Sequence, residues 1–133
     1  MNDNNTIPAT DSSKQSFGHG SDFVDRAIAD PTHRVTLFSL SWCSYCRGAR
    51  QLLEQIGIAY RLLELDRGDF LEPRLQQEVR ARLQQLTGSS TLPQLFIGGE
   101  SLGGYTDTLA AHNNGQLAQV LTKHAITIKG SDQ

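Results

Sequence analysis

The chain has 133 residues, 38% hydrophobic and 20% charged, with a formal net charge of −2 and a sequence pI of about 6.0. That length supports one hydrophobic core and is short for two ordinary domains. No cluster of lysine or arginine stands out, which argues against nucleic acid or an anionic membrane as a partner.

From the N-terminus, Met1 to Gly20 is rich in Asn, Asp and Ser and carries no apolar run, so it reads as neither a secretory signal nor a membrane anchor. The stretch has no arginine and contains Asp3 and Asp11, which argues against an organellar transit peptide. The expectation is a disordered tail over residues 1–20, a domain over 21–127, a C-terminal tail over 128–133, and a reducing, cytoplasmic setting. Phe23, Val24, Ala27 and Ile28 repeat at helical spacing between Ser21-Asp22 and Asp30-Pro31, which predicts a short first helix. Val35-Thr36-Leu37-Phe38 reads as a strand. Ala49, Leu52, Leu53 and Ile56 mark one face of the next helix, closed by Gly57. Tyr60 to Leu65 is a second strand, and Leu71, Leu75, Val79, Leu83 and Leu86 form the stripe of a long amphipathic helix ending at Thr87-Gly88. Gln94 to Ile97, Gly98-Gly99 and Glu100 to Leu102 read as a two-residue hairpin. Leu117, Val120, Leu121 and Ala125 supply a closing helix, led in by Asn113-Asn114-Gly115. The order αβαβαββα predicts one mixed sheet covered by helices on both faces, and the apolar stripes are read as core.

The only two cysteines, Cys43 and Cys46, stand in C-x-x-C spacing at the junction of the first strand and the second helix. That spacing points to a redox dithiol. The positive end of the helix favours a thiolate at Cys43, and C-x-x-C thiols at helix N-termini have pKa values of about 3.5 to 7.5. Cys43 is therefore the candidate nucleophile, with Cys46, one turn later and facing the core, as the resolving thiol. A zinc site would want a second ligand pair, and the four histidines (His19, His33, His112, His124) lack ligand spacing. A static bridge would close too short a loop to add much stability.

A second informative stretch is Thr91-Leu92-Pro93, followed by the hairpin and Gly103-Gly104-Tyr105-Thr106-Asp107. Pro93 fits either a cis bond after Leu92, which would turn the Leu92 backbone outward to pair with an extended thiol peptide, or an ordinary strand start. Thr106 and Asp107 sit at a helix start, where they fit N-caps as well as ligands: the amides for a carboxylate, Asp107 for an ammonium group.

Together, Trp42-Cys43-Ser44-Tyr45-Cys46, Thr87-Gly88, Thr91-Leu92-Pro93 through Gly99, and Leu102 through Asp107 resemble a dithiol glutaredoxin over roughly residues 21–126. The resemblance implies a thioredoxin-like fold, a four-stranded mixed sheet flanked by helices, and glutathione-dependent reduction of protein-glutathione mixed disulfides and protein disulfides. It assigns Cys43 as nucleophile and Cys46 as resolving thiol. Leu92 pairs through its backbone with the cysteinyl part of glutathione, Pro93 is the cis-proline, Thr106 and Asp107 hold the γ-glutamyl end, and Tyr45 lines the groove. Glutathione and glutathionylated or disulfide-containing proteins are then the partners, and the protein is a monomer.

Four departures from the family pattern matter. Leu40 stands where the family usually has a lysine that meets the glycyl carboxylate, and Ser90 where it often has arginine or lysine, so two cationic contacts are missing. Arg80 stands where a glutamine often reaches that carboxylate and could restore part of the charge by a bidentate contact. The connection from Arg67 to Glu72 also looks longer than usual. Two other readings of the same motifs are a [2Fe-2S] cluster shared by two subunits through Cys43 of each and two glutathiones, and a thioredoxin-like module that binds partners without turnover.

Overall fold

The computed structural model describes residues 8–128, with side-chain detail from His19 onward. Its elements run α1 (Pro8–Ala29), β1 (Val35–Ser39), α2 (Ser44–Ile56), β2 (Arg61–Glu64), a 3-10 turn (Gly68–Leu71), α3 (Pro73–Thr87), β3 (Gln94–Ile97), β4 (Glu100–Gly103), α4 (Tyr105–Asn113) and α5 (Gln116–Lys123). The sheet order is β2-β1-β3-β4. β1 runs parallel to β2, with Ser39 opposite Glu64, and antiparallel to β3, with Phe38 opposite Gln94. β3 turns into β4 through Gly98 and Gly99, whose φ angles of 57° and 88° suit the two-residue hairpin read from the sequence.

Strand alternation divides the core into two layers. Val35, Leu37, Leu95 and Ile97 pack against Leu53 of α2, Ala111 of α4 and Leu117 and Leu121 of α5. Phe38 and Phe96, edge to face at 5.8 Å, pack on the other side against Val24 of α1 and Val79 and Leu83 of α3. Each such aliphatic or aromatic side chain contributes about 1.5–3 kcal/mol when fully buried.

Four expectations are corrected. α1 begins at Pro8, so residues 8–20 of the expected disordered tail are helix, while residues 1–7 lie outside the described residues. Proline is tolerated in a first helical turn, no further proline interrupts before Ala29, and the docked segment around Val24 supplies the costly nucleus from which the helix extends. Leu71 is 68% exposed in the 3-10 turn and Leu86 is 40% exposed, so neither belongs to the α3 core stripe. The reason is local: Glu72 caps the helix by accepting from the Leu75 N–H at 2.8 Å and Pro73 fills the first position, which leaves Leu71 outside it. Phe70 is the buried side chain of the extra connection, edge to face with Phe23 at 5.2 Å. The C-terminal part forms two helices where the element order counted one, α4 and α5, separated at Asn114-Gly115, where Gly115 has φ 87°. Finally, Ala125 is exposed at φ 56° while Ile126 and Ile128 pack on the core, so position 128 is no free tail; residues 129–133 lie outside the described residues.

α1 is fastened to α3 by two buried or half-buried polar contacts. The Gly20 N–H donates to Glu78 Oε1 at 2.9 Å, and Arg82 grips both carboxylate oxygens of Asp25 at 2.9 and 3.3 Å. A Cβ at Gly20 would fall 2.2 Å from the Glu78 Cβ, so the approach requires glycine. Among the described residues, no helix is long and apolar enough to cross a membrane.

Candidate active site

The site lies where β1 and β2 end. Leu40, Ser41 and Trp42 lead from β1 to Cys43, the N-cap of α2, which has extended backbone angles. A sulfur here replaces the usual cap oxygen: the Cys46 N–H donates to Cys43 Sγ at 3.3 Å, and the Arg47 N–H donates to the Cys43 carbonyl at 3.0 Å to open the helix. Cys43 is thus half-exposed at the positive end of α2. Cys46 is 0% exposed, and its sulfur accepts from the Leu40 N–H at 3.3 Å. Burial pushes the Cys46 thiol up, against the neighbouring Ser39 hydroxyl and the Leu40 N–H, which favour the thiolate; neighbouring Cys43 adds to the rise. Both cysteines are free thiols.

The Leu92–Pro93 bond is cis, and the Leu92 carbonyl accepts from the Cys43 thiol at 3.9 Å. The loop is fixed from behind by the buried Gln94 amide, which donates to the carbonyls of Ser89 at 2.7 Å and Thr91 at 2.9 Å. Arg80 is half-buried and donates through Nη2 to the Ser90 carbonyl at 3.1 Å, so it stands against the loop that carries Leu92. Leu40, at the position where the family has lysine, packs together with Leu75 and Leu92 against the α1–α3 core layer.

At the end of β4, Gly103 has φ 84°, and a Cβ there would lie 2.3 Å from Asp107 Oδ2, so only glycine fits. The cap expectation is corrected here. Gly104 is the N-cap of α4; Thr106 and Asp107 are its second and third residues, and Asp107 reaches back to accept from the Gly104 N–H at 3.3 Å. Both side chains are exposed. The Tyr45 ring is 63% exposed and lies 6.4 Å from that of Tyr105, and Trp42 is 72% exposed beside Cys43.

Three supporting residues were not singled out by sequence. Asp66 accepts from the Ser41 N–H at 3.1 Å and from the Ser41 hydroxyl at 2.6 Å, which fixes the loop two residues before Cys43 and holds the Asp66 carboxyl below its ordinary range. The third is Ser39, buried against Cys46. The signal for the Ser41–Asp66 pair was the parallel register: Ser39 opposes Glu64, so two residues on Ser41 meets Asp66. Among the described residues, no three His, Cys, Asp or Glu side chains stand together to hold a metal, so the chain alone offers an iron–sulfur cluster one accessible thiol, Cys43.

A four-stranded mixed sheet between helical layers, with its thiols at a strand-to-helix junction, defines a thioredoxin-like protein. The Glutaredoxin family model matches residues 35–102. Monothiol glutaredoxin-S10 from rice is 39% identical over 127 residues, covering 95% of this chain and 74% of that protein. The solution structure of reduced glutaredoxin C1 from Populus tremula x tremuloides superposes with a TM-score of 0.75 at 30% identity, over 92% of this chain and 98% of that one. The crystal structure of a buckwheat glutaredoxin–glutathione complex gives a TM-score of 0.74 at 26% identity, over 85% and 96% of the two chains. The chain belongs to the glutaredoxin family, whose members are generally thiol-disulfide oxidoreductases.

Proposed function

We propose that this protein is a dithiol, glutathione-dependent oxidoreductase that reduces protein-glutathione mixed disulfides and protein disulfides in a reducing compartment such as the cytoplasm. The observation that carries the reading is the position of Cys43 Sγ, between the Cys46 N–H at 3.3 Å and the Leu92 carbonyl at 3.9 Å, at the open end of α2. The buckwheat relative's complex with glutathione supports that ligand. The Cys43 thiolate attacks the glutathione sulfur of a mixed disulfide in line; the protein thiol leaves and Cys43 is glutathionylated. A second glutathione then attacks that sulfur, giving glutathione disulfide and free Cys43. With a protein disulfide, Cys46 attacks Cys43 instead and releases the substrate thiol. Glutathione lies along Leu92 and Pro93, with its γ-glutamyl carboxylate on the α4 amides, its ammonium group on Asp107 beside Thr106, its glycyl carboxylate toward Arg80 and Tyr45 at its flank.

The test is glutathione-coupled reduction of a glutathionylated peptide by anaerobically purified protein, with Cys46→Ser and Leu40→Lys alongside and the visible spectrum recorded. Turnover that persists in Cys46→Ser and rises in Leu40→Lys is expected. Absence of turnover sinks the reading; with a visible cluster absorbance it points to iron–sulfur binding, and without one to a partner-binding module.

A further inference from the structure

Ser39 is the last residue of β1 and is 0% exposed. By strand alternation it shares the face of Val35 and Leu37, the face that α2 covers. Its hydroxyl donates to the Leu40 carbonyl at 3.3 Å, and from beside Cys46 it favours that residue's thiolate. The Leu40 N–H already donates to that sulfur at 3.3 Å. One donor thus already serves a thiol sealed from solvent and a second stands beside it, and both are neutral.

Resting on the dithiol reading above, we propose that Ser39 and the Leu40 N–H form an anion site for the resolving thiol, the Ser39 hydroxyl turning from the Leu40 carbonyl to the Cys46 sulfur as that thiol gives up its proton. Neutral donors suit the order of events. While Cys43 is a thiolate, a second negative charge one helical turn away is opposed by repulsion as well as burial. Once Cys43 is bound in a mixed disulfide its charge is gone, and the donors at Cys46 are then enough to stabilise the anion. A cation in their place would favour ionisation of Cys46 in the resting protein too. In the closing step, Cys46 sulfur forms a bond to Cys43 sulfur and the bond from Cys43 to the substrate sulfur breaks. The substrate leaves with the electron pair and takes up a proton to replace the one Cys46 released to water; the protein dithiol is oxidised by two electrons and the substrate sulfur reduced.

The experiment needs no glutathione, so it stands apart from the glutathione reading. Reduced protein is mixed with a symmetrical aromatic disulfide, which releases one coloured thiolate when Cys43 attacks and a second when Cys46 closes the ring. In Ser39→Ala the second release should slow about tenfold at neutral pH and its pH midpoint rise by about one unit, while the first release keeps its rate. Ser39→Thr, which retains a hydroxyl, should restore the second release. A second release in Ser39→Ala with unchanged rate and midpoint would overturn the proposal, as would equal slowing of both releases. A wild-type protein that releases only one thiolate overturns the dithiol reading and this proposal with it.

Discussion

The two ends of the sheet use charge in opposite ways. Where β1 and β2 end, the two sulfurs take hydrogen bonds from the N–H groups of Cys46 and Leu40, with the neutral Ser39 hydroxyl beside Cys46, and the supporting carboxylate, Asp66, is spent on holding Ser41. At the end where β1 begins, ionisable side chains pair with one another: Asp30 with His33 at 3.1 Å and Arg61 at 3.6 Å, Glu100 with Lys123 at 2.7 Å and His124 at 2.8 Å. Peptide dipoles are fixed by the fold, cost no side-chain ordering and bring no net charge to compete with the substrate's. Exposed ion pairs tie neighbouring segments together at modest gain each and weaken with salt. Changes at the thiol end should therefore act on rate, and changes at the far end on stability.

The largest effect expected is that of Cys43→Ser: turnover of a glutathionylated peptide is lost while the urea unfolding midpoint stays at the wild-type value. Measurable turnover in that variant would remove Cys43 from the centre of the chemistry. On the other side stands Leu121, buried in α5 two residues before Lys123. Leu121→Ala should cost about 2–5 kcal/mol of unfolding free energy by the usual cost of a truncated core leucine. Its turnover per folded molecule should match wild type in initial-rate assays below the unfolding transition. A large rate loss there would mean that the far end and the thiols are coupled through the core.

Asp66→Asn comes next and sharpens the comparison, because Asp66 is a charged group that serves the thiol end through position. Without the carboxylate, Ser41 loses a charge-assisted acceptor and the loop before Cys43 loosens; kcat/KM should fall about tenfold, or about 1.4 kcal/mol of transition-state stabilisation. The pH dependence follows from the lowered pKa, whose first cause is the Ser41 hydroxyl bond. A carboxyl that ionises more readily in the folded state contributes stability above its unfolded value of about 4, and that contribution is lost as pH falls through the lower folded value. The stability gap between wild type and Asp66→Asn should thus be present at neutral pH and close in acid, as read from denaturant midpoints across the range. A gap that persists at low pH would mean the asparagine disturbs packing and leaves the charge out of it.

What the sequence disclosed divides along the same line between local and distant causes. The Cys43–Cys46 pair, the Gly98-Gly99 turn and the two strands around it were legible because spacing and turn chemistry act within a few residues. Leu71 was misplaced because an i, i+4 stripe does not say where a helix begins, although the Glu72-Pro73 cap and first position did. The polar composition before Ser21 concealed the length of α1, whose docking depends on contacts with residues far along the chain, Gly20 with Glu78 and Asp25 with Arg82. The roles of Ser39 and Ser41 were hidden for the same reason. One depends on how α2 sits over β1, and the other on the parallel register of β1 and β2.

The smallest effect expected is that of Glu100→Gln. The carboxylate joins the start of β4 to the end of α5, and its pKa is lowered first by the Lys123 contact and then by that of His124. The His124 ring also lies against Gly98, where a Cβ would stand 2.3 Å from Nδ1, so the hairpin turn and the helix end are held by shape as well as by charge. Glutamine keeps the shape and a hydrogen-bonding oxygen and removes the charge. The melting temperature should drop slightly at low ionic strength and return to the wild-type value near about 1 M salt, where screening has already removed the exposed attraction. Because the folded-state pKa is depressed, the difference should also disappear as pH falls below about 4. Turnover should not change under any of these conditions: the ion pairs at this end have no contact with either sulfur, and a rate that followed the salt dependence of the Glu100 pair would show that the two ends are not independent.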